Sequence, residues 1–303
     1  MAYTRRYVRK RRTTARKPAR ATRYRRKSGY YPRIKGRRPM SKRSVLNVTS
    51  KKKRNGMLTI TTSGSNGTPI TPAVGPAFVN AVDGGVFLWC ATAQSSATAT
   101  VQENAARTSD VCYMKGLSEH VRIQTSSGLP WFHRRICFSY RGAVFRNGLD
   151  PSPVNTVSAY YDDGARGVAR WAQNSANNNT PQTLQAWFGI LFKGVENIDW
   201  TDRIIAPVDT TRVDLKMDKT WTIQSGNANG IVRERKLWHP MNKNLYYDDD
   251  ESGDNEVASY FSVVDKRGMG DYYVIDIIQG GTGGTTTDKL QVTYNSTLYW
   301  HEK

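Results

Sequence analysis

Between Met1 and Arg54 the chain carries 23 Lys and Arg residues and no carboxylate, the first acid being Asp83. Like charge at that density cannot be packed into a core, so this stretch is expected to stay extended and disordered until a polyanion neutralises it. Whatever folds must be built from the residues that follow. The whole sequence has 45 Lys+Arg and 25 Asp+Glu, so residues 55–303 hold 45 − 23 = 22 bases against 25 acids and net to −3. The formal excess of +20 therefore belongs to the N-terminal arm.

Nucleic acid is the polyanion such an arm fits, because its phosphates release counterions when Lys and Arg replace them. A basic stretch also reads as a nuclear-import address or as an attractor for a membrane surface. The residues expected to carry the binding are Arg5, Arg6, Arg9, Lys10, Arg11, Arg12, Arg16, Lys17, Arg20, Arg23, Arg25, Arg26 and Lys27, with Tyr7 and Tyr24 as stacking partners. Tyr3, Tyr30 and Tyr31 also interleave the arginines, and rings beside guanidinium groups offer unpaired bases a surface, which tilts the partner towards single strands. Pro18, Pro32 and Pro39 with Gly29 and Gly36 exclude one long basic helix, and with it a groove-reading basic region. Lys51, Lys52, Lys53 and Arg54 sit where arm meets domain and read equally as DNA contacts or as a solvated linker.

Residues 55–303 contain no apolar run near the ~20 residues that a membrane span needs, and no charged or Pro-rich linker divides them, so one domain and no membrane partner are expected. An Arg-rich N-terminus with no apolar stretch behind it is not a signal peptide. Cys90, Cys112 and Cys137, an odd number in apolar contexts, suit reduced, buried thiols in cytosol or nucleus.

The apolar pattern has period two. Ile136, Phe138 and Tyr140 point one way while Cys137, Ser139 and Arg141 point the other; Val213, Leu215 and Met217 alternate with Asp214, Lys216 and Asp218. Trp221 and Ile223, and later Leu290, Val292 and Tyr294, continue the alternation. Further strands are expected at 57–62, 86–92, 117–125, 186–192, 231–237, 259–265 and 272–278, with a short helix around 157–173. Turn-rich segments such as 174–181 and 280–287 lie between them and are expected at the surface. About eight to ten strands, some joined by connections too long for hairpins, point to an all-β sandwich or jelly roll.

Catalytic machinery is not evident. The chain has no Gly-Lys dipeptide and hence no phosphate loop of the Walker type, its four histidines (His120, His133, His239, His301) are too scattered for a metal-dependent nicking site, and no nucleophile elbow occurs. The glycines of 280–284 read as a flexible hairpin rather than a dinucleotide loop, since Thr286 stands where a third glycine belongs. Cys112, His120, His133 and Cys137 are a weak zinc candidate, because positions four apart on a strand lie some 13 Å apart at roughly 3.3 Å per residue. Within 248–253, Asp248, Asp250, Ser252 and Gly253 match the first, third, fifth and sixth positions of a calcium loop, but Ser259 stands at the twelfth where a glutamate is wanted, so a solvated acidic loop is expected. No enzyme activity, cofactor or metal follows from these residues.

The stretch Ala206-Pro207-Val208-Asp209-Thr210-Thr211-Arg212-Val213-Asp214, then Asp218-Lys219-Thr220 and Ser225-Gly226, resembles the coat proteins of genomoviruses, which are small circular single-stranded-DNA viruses. Trp238-His239-Pro240-Met241-Asn242-Lys243-Asn244-Leu245, Tyr247-Asp248-Asp249, Lys266-Arg267-Gly268-Met269-Gly270-Asp271-Tyr272-Tyr273 and Thr297-Leu298-Tyr299-Trp300-His301-Glu302-Lys303 carry the same resemblance. Met114-Lys115-Gly116-Leu117 and the opening Met1-Ala2-Tyr3-Thr4-Arg5-Arg6 extend it to both halves, and the 207–226 pattern is similar, more loosely, to geminivirus coat proteins. The resemblance implies a single viral jelly roll, an eight-stranded antiparallel sandwich spanning 55–303, behind an arm of residues 1–54 that binds nucleic acid and addresses the nucleus. It further implies sixty copies closing a T=1 icosahedral shell on a circular single-stranded DNA genome, a host nuclear import receptor as partner, and residence in the virion and host cell nucleus. The rival expectations are a non-assembling nuclear shuttle or single-stranded DNA-binding protein with the same arm, and an enzyme acting on nucleic acid.

Overall fold

The computed structural model describes residues 40–96, 105–253 and 255–303, and the alternation read from the sequence appears there as thirteen strands. In chain order the elements are α1 (Lys42–Thr49), β1 (Lys51–Ser63), β2 (Pro69–Val74), β3 (Ala77–Asn80), β4 (Gly85–Cys90), β5 (Val111–Thr125), β6 (Trp131–Tyr140) and β7 (Arg170–Ala172). They continue with α2 (Pro181–Leu191), β8 (Asp214–Ile223), β9 (Val232–Tyr246), β10 (Asp250–Ser252), β11 (Asn255–Val257), β12 (Asp271–Gly280) and β13 (Lys289–Glu302).

Two sheets form an all-β sandwich. The larger runs β2-β1-β13-β5-β9, with β3 also on β13 and the short β7 parallel to β1; the smaller runs β4-β12-β6-β8, and all its pairs are antiparallel. Long registers hold both together, such as β13 on β5 from Leu290↔Thr125 to His301↔Tyr113 and β12 on β6 from Asp271↔Tyr140 to Gly280↔Trp131. Side chains of alternate parity meet between the sheets. Trp89, Cys137 and Val274 of the smaller sheet pack on Met57, Leu117 and Leu298 of the larger, and Phe87, Trp131 and Ile278 pack on Val121, Ile123 and Val292. The opposite parity of the smaller sheet, including Leu88, Ile136, Phe138 and Ile275, is buried under Phe145, Trp187, Phe188 and Phe192 from the long connection between β6 and β8. That sheet is therefore apolar on both faces, which is why β4 and β12 read as nearly continuous apolar runs.

Between the two inter-sheet clusters lies a buried ionic one. Arg135 donates to both oxygens of Asp276 (2.7 and 2.8 Å) and to Glu119 (2.6 Å), and Arg170 donates to Glu119 (3.0 Å) and Asp276 (3.1 Å). Ser296 and Tyr294 donate to the same carboxylates. Two cations meet two anions, so the cluster is neutral and its lone pairs are largely filled, the condition under which buried charge is tolerated. Burial alone raises both carboxyls, but Arg135, with Arg170 on Glu119 and His133 on Asp276, holds them well below the usual range. Burial lowers His133 below its ordinary value. Its neutral ring donates from Nε2 to Asp276 at 2.7 Å and accepts at Nδ1 from Arg235 at 3.4 Å.

Several sequence expectations are corrected here. Residues 186–191 are helix, not strand, with Phe192 the extended residue that ends it: Leu184, Trp187, Phe188 and Leu191 follow the 3.6 period, Pro181 opens α2, and Asp150 accepts from the backbone of Gln182 and Thr183 at 2.9 Å each. The helix expected around 157–173 is irregular chain that ends in β7, interrupted by Gly164 and Gly167 at positive φ. Residues 259–265 make only one isolated bridge, Tyr247↔Ser262. The segment 280–287 is no hairpin, because β12 and β13 belong to different sheets. Nor is 174–181 a surface loop: Asn174, Ser175, Asn178 and Thr180 are buried, and the Asn174 amide serves the backbone of Val86 and Gly84.

Candidate nucleic-acid interface

The arm residues Arg5, Arg6, Tyr7, Arg9, Lys10, Arg11, Arg12, Arg16, Lys17, Arg20, Arg23, Tyr24, Arg25, Arg26 and Lys27 lie outside the described residues. The end of the segment expected to be disordered is ordered. Ser41 caps α1 by accepting from the Ser44 amide at 3.2 Å, and β1 starts at Lys51, so the folded domain begins before residue 55. The run Lys51 to Arg54 is thus neither linker nor arm but the first turn of the pleat, and its members part company. Lys53 points inward to Glu302 at 2.9 Å and donates to Ala106 O and Thr108 Oγ1, which removes it from the set expected to touch DNA. Lys52 and Arg54 point outward and have no ion-pair partner among the described residues.

That outward face of the larger sheet gathers cations and aromatic rings row by row. Lys52 is registered with His301 and His301 with Tyr113; Arg54 with Tyr299, and Tyr299 with Gly116. Further along, Thr297, Ser118 and Trp238 form one row, and Asn295, His120 and Lys236 the next. Trp238 is 50% exposed, an unusual position for an indole on a sheet. Its six-membered ring comes against Gly116, where any Cβ would stand 2.6 Å from Cζ2, and tilts against Tyr299 with centroids 5.9 Å apart at 55°. Lys52, Lys115, Ser118, Trp238, Tyr299 and His301 line a groove of about 430 Å³. Partial burial, then Lys52 and Lys115, lower the His301 imidazole, so its ring is neutral at pH 7 beside two ammonium groups. Glu119 and Glu302 have the other parity and lie in the core; Glu234, beside His120 at 3.4 Å, is the acid of this face.

The candidate metal ligands are not brought together. His120 is at the surface with Glu234, His133 pairs with Asp276, Cys112 packs near Glu302, and Cys137 lies by His239 at 3.7 Å. The acidic stretch is the β10-β11 hairpin, and its Asp249 holds Arg107, one arm of the pair being 2.6 Å. A larger groove of about 870 Å³ beside α2 contains Arg203 and Arg212, already paired with Glu196 and Asp209. No helix among the described residues is long and apolar enough to cross a membrane.

Sequence reasoning named Lys52 and Arg54 but missed Lys115, Trp238 and Tyr299 as site residues. The signal lay in parity: Trp238 falls between Leu237 and His239, and Tyr299 between Leu298 and Trp300, so both must leave the core. The chain matches no protein-family model and no curated protein.

Proposed function

We propose that this protein is a viral coat protein that closes a small T=1 icosahedral shell of sixty copies around circular single-stranded DNA, with its basic arm on the phosphates inside. The observation that carries the reading is the charge segregation: residues 1–50 hold 19 bases without an acid, ahead of a sandwich that starts at Lys51 and whose 45 − 19 = 26 bases against 25 acids net to only +1. A polycation held at one point of a near-neutral folded body binds a polymer of phosphates without reading its sequence.

The strand order supports a jelly roll within that sandwich. Taking β1, β4, β5, β6, β8, β9, β12 and β13 as the eight main strands, one sheet is first-eighth-third-sixth and the other second-seventh-fourth-fifth, an arrangement of two nested Greek keys. The remaining strands are then additions within the connections. Self-association is supported by large apolar side chains left at the surface, among them Ile198 (80% exposed) and Ile205 (78%), and by Val45 and Val48 on α1. The arm would also serve as the ligand of a host nuclear import receptor, which places the protein in nucleus and virion.

Electron microscopy of the purified full-length protein, with the absorbance ratio taken before and after nuclease, tests the reading. Closed isometric particles that keep their nucleic acid are expected. Monomers or open nucleoprotein over a range of salt and protein concentration would instead establish the non-assembling DNA-binding alternative.

A further inference from the structure

We infer that the outward face of the larger sheet holds a nucleotide site of its own, in which Trp238 and Tyr299 stack an unpaired base and Lys52 and Lys115 hold the flanking phosphates. The arm neutralises charge; this site would bind bases. It rests on the reading of single-stranded nucleic acid as the cargo.

Three observations converge on it. An indole with half its surface open sits on a rigid strand, fixed from below by Gly116 and from the side by Tyr299, so its stacking face is presented without loss of rotamer freedom on binding. The groove beside it has room for a nucleobase, at about 430 Å³, and its lining combines the cations Lys52 and Lys115 with the rings of Trp238, Tyr299 and His301. Among the described residues neither Lys52 nor Lys115 has an ion-pair partner, and Lys115 donates to the neutral Asn242 Oδ1 at 2.8 Å. An ammonium without a counterion, next to a half-exposed ring, matches a nucleotide's phosphate and base in one step. The same charge argues against this chain's own arm as occupant, since one polycation would be laid on the cations of another. Arg54, registered with Tyr299, and Lys52, two residues nearer the arm, form a cationic edge along β1, so one strand of DNA can pass from the arm onto the sheet.

The test uses full-length protein and two oligonucleotides of equal length, oligo-dT and an abasic strand with the same phosphates, titrated by fluorescence anisotropy across a salt series. Trp238→Ala should weaken oligo-dT about tenfold and leave the abasic strand unchanged, since stacking of a base on one ring is lost. Trp238→Phe should restore most of that loss. The pair Lys52→Ala/Lys115→Ala should weaken both strands and reduce the salt slope by about 1.4, from about 0.7 for each phosphate contact. A photoreactive 5-iododeoxyuridine strand should crosslink to the peptides carrying Trp238 or Tyr299. If Trp238→Ala changes neither strand, or both equally, or changes only the oligomeric state, the site is not for bases and the inference fails. Replacing the arm arginines by alanine should weaken both strands in parallel. If the unaltered protein binds neither strand, it is the packaging reading itself that falls.

Discussion

Lys53 Nζ and Glu302 Oε2 lie 2.9 Å apart across the first and last strands of the domain, with both side chains essentially buried. Around them Thr108 donates its hydroxyl to Glu302 at 2.6 Å and Trp300 its indole N–H at 2.7 Å, while Lys53 also donates to Ala106 O at 2.7 Å. A buried charge with one partner removed is costly, because the survivor keeps its desolvation penalty. The pair therefore fastens the point at which the basic segment enters the fold.

Lys53→Met should lower unfolding stability by about 3 kcal/mol in urea, whereas Lys52→Met, one position away but outward, should change it by less than about 0.5 kcal/mol. DNA affinity should show the reverse order. An equal salt-slope change for both substitutions would contradict the placement of Lys53 in the core.

Arg135 offers the sharpest stability test. Arg135→Met leaves Arg170 to neutralise both Glu119 and Asp276 and should cost about 3–5 kcal/mol, read as a shift in the urea midpoint. Arg166, in an exposed pair with Asp163, should cost under about 1 kcal/mol on the same substitution.

Asp271 should leave a mark on the pH dependence. Its carboxyl is buried, which pushes it up to about 6, although Ser262 N and Arg146 sit at 2.7 and 3.1 Å. An unfolded aspartate titrates near 3.9, so the folded chain binds the extra proton between about pH 4 and 6. The stability from that proton is complete below about pH 4 and is lost as pH rises through about 6. Glu119 and Asp276 act in the opposite sense, their contribution being present above about pH 4 and lost on acidification. Relative to Asp271→Asn, the unaltered protein should lose about 2 kcal/mol of stability between pH 4.5 and 7, measured by urea titration at each pH. A constant difference over that range would exclude a raised Asp271.

The three thiols should be silent in the folded protein. Cys90, Cys112 and Cys137 are buried; burial pushes Cys137 up to about 12 and the other two higher still. A thiol-reactive disulfide reagent at pH 8 should label none of the three in buffer and all three in denaturant. Rapid labelling of any one under native conditions would place it at the surface.

Local pattern was enough for the charge boundary, the all-β class and most long strands. Period-two alternation is a property of a few consecutive residues, and the expectations at 57–62, 117–125 and 272–278 fall inside β1, β5 and β12. Single-residue parity even assigned residues 136–140 of β6 to opposite faces, though not that both faces would be covered. The missed helix α2 carried its own signals, Pro181 and the 184, 187, 188, 191 spacing, which a short apolar run concealed.

The remainder depended on which strands became neighbours. Nothing local to Lys53 separates it from Lys52, yet pairing β1 with the chain's last strand sends one inward to Glu302 and the other outward to His301. Nothing local to Trp238 places Tyr299 beside it, some sixty residues on, until β5 is laid between their two strands with a glycine at the crossing. Glu119, Arg135, Arg170 and Asp276 likewise come from four strands and neutralise one another only once two sheets are stacked. Charge and periodicity are sums over neighbouring residues and can be read along the chain. Ion pairs and ring contacts between distant residues are set by strand order and register, which only the folded sandwich decides.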